Sequence, residues 1–216
     1  MVGRLTTSEQ VESFQSPEVV HKPLLDIEAH KSDVFDIDIA SDGRIIISVG
    51  HDGIAKMWDM GLGTLIREVP QPSECATGYK VRSVRCTPLG NGSNLVFVAA
   101  YNAISLTSKR KSFLALWAYS REKQALRTVV VRSTGRGDGV SSLCVSSCGN
   151  FTGVGSMGGS VYIFDTHEMK ELIAFKETHG IFVTAVEFLD RTASDVTSLV
   201  QQPASGPPRR IPGPGD

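Results

Sequence analysis

Between His30 and Asp59 four polar or half-polar residues, His30, Ser48, Asp52 and Trp58, are set among short apolar runs, and their spacing constrains the fold more than any other feature of the chain. The apolar positions Val34, Ile37, Ile39, Ile45, Ile46, Ile47, Ile54 and Met57 are interrupted by Ser41-Asp42-Gly43 and His51-Asp52-Gly53. Short apolar runs between turn signals predict strands joined by hairpins. Gly reaches positive φ without steric cost and Asp tolerates it better than most residues, so each Asp-Gly pair is suited to a tight turn. An indole N–H, a hydroxyl, an imidazole and a carboxylate beside core positions must find partners on burial. These four can satisfy one another: Trp58 donates to Ser48, Ser48 to His30, and His30 to the Asp52 carboxylate. The chain of bonds would tie three strands and the incoming loop together.

That set resembles the WD-repeat family, whose β-propeller blades carry such a tetrad, a Gly-His-like start (here Ala29-His30) and a closing Trp-Asp (here Trp58-Asp59). A His, a Ser and an Asp also have the composition of a hydrolase triad, but each occupies the structural slot of the blade pattern. Internal repetition agrees. Shifting Asp33–Asp59 by 106 residues places it on Gly139–Asp165 without a gap, matching Val34 with Val140, Gly43 with Gly149, Gly53 with Gly159 and Asp59 with Asp165. The tetrad slots there hold Arg136, Val154, Gly158 and Phe164, so that copy is expected to rest on packing alone. Between the two copies lie strand-like runs at Val81–Cys86, Leu95–Ala99 and Phe113–Trp117, with an enlarged loop expected from about Ala100 to Ser112. A further unit starts at His179, where Val183, Val186 and Phe188 repeat the spacing of Val34, Ile37 and Ile39.

The expected fold is all-β: a partial WD-repeat β-propeller of about three blades of four-stranded antiparallel sheet over residues 17–190. It is flanked by an irregular segment, 1–16, and a Pro/Gly-rich tail, 191–216, expected to be disordered. Val19-Val20 and Leu24–Ile27 read as the outer strand of a preceding blade. Each blade of a propeller packs on two neighbours, so an arc of three leaves two apolar flanks. The sequence therefore reads as a fragment, a truncated isoform or an imperfect gene model.

The composition, 41% hydrophobic and 21% charged with a net charge of −1, fits a globular core and gives no reason to expect nucleic acid as the main partner. No apolar stretch approaches the ~18 residues of a membrane helix, and the N-terminus shows no signal-peptide pattern. Cys75, Cys86, Cys144 and Cys148 lack paired C-x-x-C spacing, so reduced structural thiols are expected and a zinc site is not. The G-x-G-x-x-G of Gly153–Gly158 falls on a strand-to-strand hairpin with no helix N-terminus to hold a pyrophosphate. Lys109-Arg110-Lys111 is a basic cluster on the enlarged loop and a candidate partner contact.

Several runs carry a closer resemblance: Ala29–Val34 through Trp58-Asp59, the basic loop before Phe113–Trp117, Val140–Val145, and Thr178–Phe188. They resemble the prolactin regulatory element-binding protein family, the animal form of the endoplasmic-reticulum exchange factor for the Sar-type small GTPase. The resemblance covers roughly residues 17–190. It implies a cytosolic propeller, tethered to the endoplasmic reticulum by a C-terminal transmembrane helix, that loads GTP onto the GTPase and starts COPII coat assembly for ER-to-Golgi vesicle transport. Such a protein is a GTPase regulator and not an enzyme in its own chemistry, and it needs no cofactor. The family's exchange loop lies in a first blade that this chain is expected to lack, so no residue here inherits the exchange role. The alternative is a generic WD-repeat scaffold for protein–protein contacts.

Overall fold

The computed structural model describes residues 26–75, 78–104, 111–134, 137–176 and 178–189. They form three four-stranded antiparallel sheets, each a simple meander in chain order. The first blade comprises β1 (Val34–Ile39), β2 (Ile45–Gly50), β3 (Ala55–Asp59) and β4 (Thr64–Val69). β5 (Tyr79–Asn91), β6 (Asn94–Ala103), β7 (Phe113–Ser120) and β8 (Ala125–Ser133) make the second. β9 (Val140–Val145), β10 (Phe151–Ser156), β11 (Val161–Asp165) and β12 (Lys170–Phe175) make the third. The first strands β1, β5 and β9 lie side by side, and each blade fans outward from them. This is the arc of a propeller, with three blades as the sequence reading expects.

The hairpin turns follow the Asp-Gly chemistry. Gly53 and its repeat partner Gly159 share a φ of +81°, where a side chain would be strained. Two cores fill the gaps between blades. Ile47, Val49 and Met57 of the first blade cluster with Val84, Phe97 and Trp117 of the second. Val98, Ala100, Leu114 and Leu116 of the second cluster with Val140, Leu143, Val154 and Phe164 of the third. Sheets stacked face to face bury alternate residues of both, which is why the small Ala99, Ala100 and Ala115 sit at the centre of the widest blade.

Three details depart from the sequence expectation. β6 runs on to Ala103, so the enlarged loop is shorter than expected, because Tyr101 pairs with Phe113 and carries the ladder past Ala100. Val34, Ile37 and Ile39, read as core positions, are 50%, 56% and 46% exposed. Their counterparts Val81 and Val84 on β5 are 3% and 0% exposed because the first blade covers them, whereas no blade among the described residues covers β1 on that side. Finally, residues 178–189 form no strand, yet Val183 is 5% exposed against the third blade. The preceding strand expected at Val19-Val20 and Leu24–Ile27, and both expected domain boundaries, fall wholly or largely outside the described residues.

Candidate functional site

His30, Ser48, Asp52 and Trp58 come together at one end of the first blade. Trp58 donates its indole N–H to Ser48 Oγ at 2.9 Å. Ser48 Oγ lies 2.8 Å from His30 Nε2, and His30 Nδ1 lies 2.9 Å from Asp52 Oδ2. With the imidazole proton on Nδ1, every donor has an acceptor: Trp58 to Ser48, Ser48 to His30, His30 to Asp52. The His30 side chain is fully buried, while that of Asp52 is 23% exposed.

The surroundings hold this arrangement. The Asp52 N–H donates to Ser32 Oγ, and Asp52 Oδ1 accepts the Ile54 N–H, which fixes the turn that presents the carboxylate. Gly50 is required by close approach, since a Cβ there would collide with His30 Nδ1. Burial opposes ionisation of Asp52, but the hydrogen bonds from His30 and the Ile54 N–H, with the nearby Lys56 charge, outweigh it and hold the carboxyl below the usual range. Ser48 is 2% exposed, its hydroxyl held between the Trp58 indole and the His30 imidazole. The arrangement locks strands in place and has no hydrolytic geometry.

The neighbouring blades solve the same problem differently. In the second, Trp117 donates to the Tyr101 hydroxyl at 3.1 Å, and the Phe97 and Trp117 rings stack with centroids 6.3 Å apart. In the third, Thr152 and Thr166 hydroxyls pair at 2.9 Å with both residues fully buried. Ser156 Oγ accepts the N–H groups of Gly158 and Ser160, taking the capping role of the missing aspartate. Val154 and Phe164 are packed in the core, and Arg136 lies outside the described residues.

The blades are also joined by polar contacts that the sequence reading missed. Asp36 accepts the Val84 N–H at 3.0 Å, pairs with Arg85 at 2.7 Å and takes the Ser83 hydroxyl. Asp38 accepts the Cys86 N–H at 2.7 Å. Asn102 forks onto the next blade, donating to Val140 O at 2.7 Å and accepting the Val140 N–H at 2.9 Å. The available signal was the pair of carboxylates alternating with apolar residues in Asp36-Ile37-Asp38-Ile39.

Of the basic cluster, Lys109 and Arg110 lie outside the described residues. Lys111 is exposed, and its carbonyl accepts the Tyr79 hydroxyl at 3.0 Å. No disulfide joins any of the four cysteines. Burial pushes the Cys75 thiol up to about 11, aided by the Glu74 charge, and raises those of Cys86 and Cys144 as well. Protonated thiols are poor nucleophiles and poor metal ligands. Among the described residues no cluster of His, Cys, Asp or Glu could hold a metal, and no helix is long and apolar enough to cross a membrane.

The WD domain, G-beta repeat family matches residues 21–59 and 128–165, the two stretches related by the internal repeat. The fold is a partial WD-repeat β-propeller. Among solved structures it is similar to the computationally designed Ika4 protein, with a TM-score of 0.53 and 19% identity, covering 79% of this chain and 88% of that one. It is also similar to the Cps50 (Swd1) β-propeller domain of Myceliophteria thermophila, with a TM-score of 0.52 and 14% identity, covering 74% and 46%. Both support the fold alone. Among curated proteins it is similar to the guanine nucleotide-exchange factor SEC12 of Rattus norvegicus, 29% identical over 170 residues, and of Mus musculus, 31% identical over 170 residues. Each match covers 77% of this chain and 39% of the relative, so the WD-repeat chain spans about two fifths of the length of these proteins. The family resemblance read from the sequence is borne out by these two matches.

Proposed function

We propose that this chain is part of a guanine-nucleotide exchange factor of the SEC12 kind, acting on a Sar-type small GTPase at the cytosolic face of the endoplasmic reticulum to start COPII coat assembly. The observation that carries this reading is the similarity to rat and mouse SEC12 along 77% of the chain, far beyond the two stretches matched as generic WD repeats. It extends through Phe188 in the resemblance read from the sequence, past residue 165 where the second WD-repeat match ends.

A propeller in this role works by differential binding. An exchange factor binds the nucleotide-free GTPase more tightly than the GDP form, so its contact energy offsets the loss of nucleotide and speeds GDP release. No group on the propeller need react, in keeping with a tetrad that is internally satisfied. Under this reading the propeller surface supplies the partner contacts, and Lys109, Arg110 and Lys111 are proposed as one of them.

A second reading, an interaction scaffold without exchange activity, is supported by the generic WD matches and by the internal satisfaction of all four tetrad residues. The two are separated by affinity. Immobilised chain is titrated with a Sar-type GTPase in nucleotide-free and GDP-bound forms. The exchange reading expects saturable binding of the GTPase in at least one of the two forms. Binding of neither rejects it and leaves the scaffold.

A further inference from the structure

A cleft of about 340 Å³ opens where the three blades meet, on the end of the arc that carries the Gly50–His51 and Met157 turns. Its walls combine two chemistries. Ile104 is 57% exposed, Phe35 44% and Met157 37%, an apolar surface drawn from all three blades. Beside them stand Arg82, Lys80 and His51. The Arg82 guanidinium lies 4.5 Å from the centre of the Phe35 ring, and the His51 ring packs on Phe35 at 5.1 Å. Lys80 donates to the His51 carbonyl at 3.0 Å, with its stem against Gly53.

These cations are held in place yet unneutralised. Arg85 and Arg121 each pair with a carboxylate, whereas among the described residues no acidic side chain forms an ion pair with Arg82 or Lys80. Every ionisable side chain on the cleft wall is a base, in a chain whose net charge is −1. A guanidinium pinned over an aromatic ring has lost much of its rotamer freedom already, so it can accept a carboxylate at little further entropic cost. A cleft near the lower end of the ~300–1,000 Å³ range for ligand sites suits one bulky side chain more than a whole cofactor.

We propose that this cleft docks an extended acidic peptide, with one apolar side chain seated among Phe35, Ile104 and Met157 and a flanking carboxylate on Arg82 and Lys80. The apolar wall gives affinity, and the two cations give register and sign selectivity. The site is separate from the exchange reading, which could fail without affecting it.

The test uses the 216-residue chain and three fluorescein-labelled hexapeptides: Asp-Glu-Leu-Phe-Glu-Asp, its basic counterpart Lys-Arg-Leu-Phe-Arg-Lys, and the apolar-free Asp-Glu-Ser-Ser-Glu-Asp. Fluorescence polarisation is expected to show saturable binding of the first, at least tenfold tighter than either control and weaker as salt rises. Arg82→Glu should lose at least tenfold for the acidic apolar peptide and improve binding of the basic one. Ile104→Ser should weaken the first peptide and leave the apolar-free control unchanged. Ile104 is exposed and Arg82 half-buried at the cleft, and a circular-dichroism melt matching the parent establishes that both variants fold. Equal binding of all three peptides, an Arg82→Glu variant with unaltered preference, or no saturation by millimolar peptide would each overturn the proposal. Competition by glutamate alone as strong as by the peptide would also overturn it, in favour of a small-molecule carboxylate.

Discussion

The first and third blades are copies of one pattern offset by 106 residues, and they differ most at the flank where each receives its neighbour along the chain. On the first blade Asp36 and Asp38 reach across and accept the Val84 and Cys86 N–H groups, while Ile47 and Val49 fill the gap to the second blade. On the third, the same slots hold Ser142, Cys144, Gly153 and Gly155. The incoming segment there is 178–189, whose Val183 presses so closely that a Cβ on Gly155 would lie 2.8 Å from it and would collide with Ser142 Oγ. Ser142 Oγ is buried without a partner, in the slot where Asp36 makes several bonds. One interface is bulky, ionic and joined to a full sheet. The other is thin, has no ion pair among the described residues, is held by neutral hydrogen bonds such as Ser141 Oγ to Val183 O at 2.5 Å, and is joined to a segment with no strand of its own. A repeat thus keeps its backbone while its flank is retuned to the neighbour it receives.

The sharpest way to break this comparison is to remove the aromatic at the common slot. Trp58→Ala should cost about 3–5 kcal/mol, because it opens a cavity and leaves Ser48 without its donor. Phe164→Ala should fall in the same range on cavity grounds alone, its ring being 2% exposed. Urea melts read both. A Trp58→Ala midpoint within about 0.5 kcal/mol of the parent would mean that the tetrad does not hold the first blade together.

Gly155→Val installs the side chain that the first blade carries at Val49 and should cost about 1–3 kcal/mol by overpacking. The diagnostic signal is local. Val183 N–H donates to Ser156 O at 3.0 Å, and its hydrogen-exchange protection should fall by more than that of the β9–β10 ladder. Uniform loss across the third blade would show that 178–189 is not a separately docked piece. Asp36→Ala should cost about 2 kcal/mol, as expected for charge-assisted bonds to a backbone N–H and an arginine. The Ser142→Ala change at the matching slot should be neutral or slightly stabilising, since it removes a buried unpaired hydroxyl. Equal costs at the two slots would refute the contrast between interfaces.

The features legible in the sequence are those that repeat. The hairpins, the three blades and the spacing of His30, Ser48, Asp52 and Trp58 were legible, because turn chemistry and polar residues near the core leave marks at fixed offsets. The outer strands β4 and β12 were not individually located, since Thr64–Val69 and Lys170–Phe175 are largely exposed and lack a clean alternation. The flank chemistry was missed for another reason. Val34, Ile37 and Ile39 look like the buried face of β1, but which side of a blade is covered depends on its neighbours, and the working face toward the second blade is that of Asp36 and Asp38. The Tyr101–Trp117 bond was hidden too, because a tyrosine two residues along from the serine slot does the serine's job from further out on the strand.

A smaller cost than that of Asp36→Ala isolates the charge of the tetrad. The Asp52 carboxyl titrates below its usual value in the folded chain, despite the opposing effect of burial, because His30 and the Ile54 N–H favour the ionised form. A depressed folded value means that ionised Asp52 contributes stability above the unfolded value of ~3.9, and that this contribution is lost as pH falls through the folded value. Asp52→Asn keeps the shape of the side chain and removes that linkage. It should therefore cost about 1 kcal/mol near pH 7, where a charged acceptor is exchanged for a neutral one, and the difference from the parent should shrink as the pH drops below about 4. Asp42, whose carboxyl is likewise lowered by its bond to Arg121 and lies 2.5 Å from it, is untouched, so the variant keeps a shallower acid transition of its own. Chemical melts of both proteins from pH 7 to pH 3 give the comparison directly. In the third blade the matching residue is Gly158, which has nothing to titrate. A difference that stays constant across the pH range would place the cost of Asp52→Asn in the geometry of the turn and not in its charge.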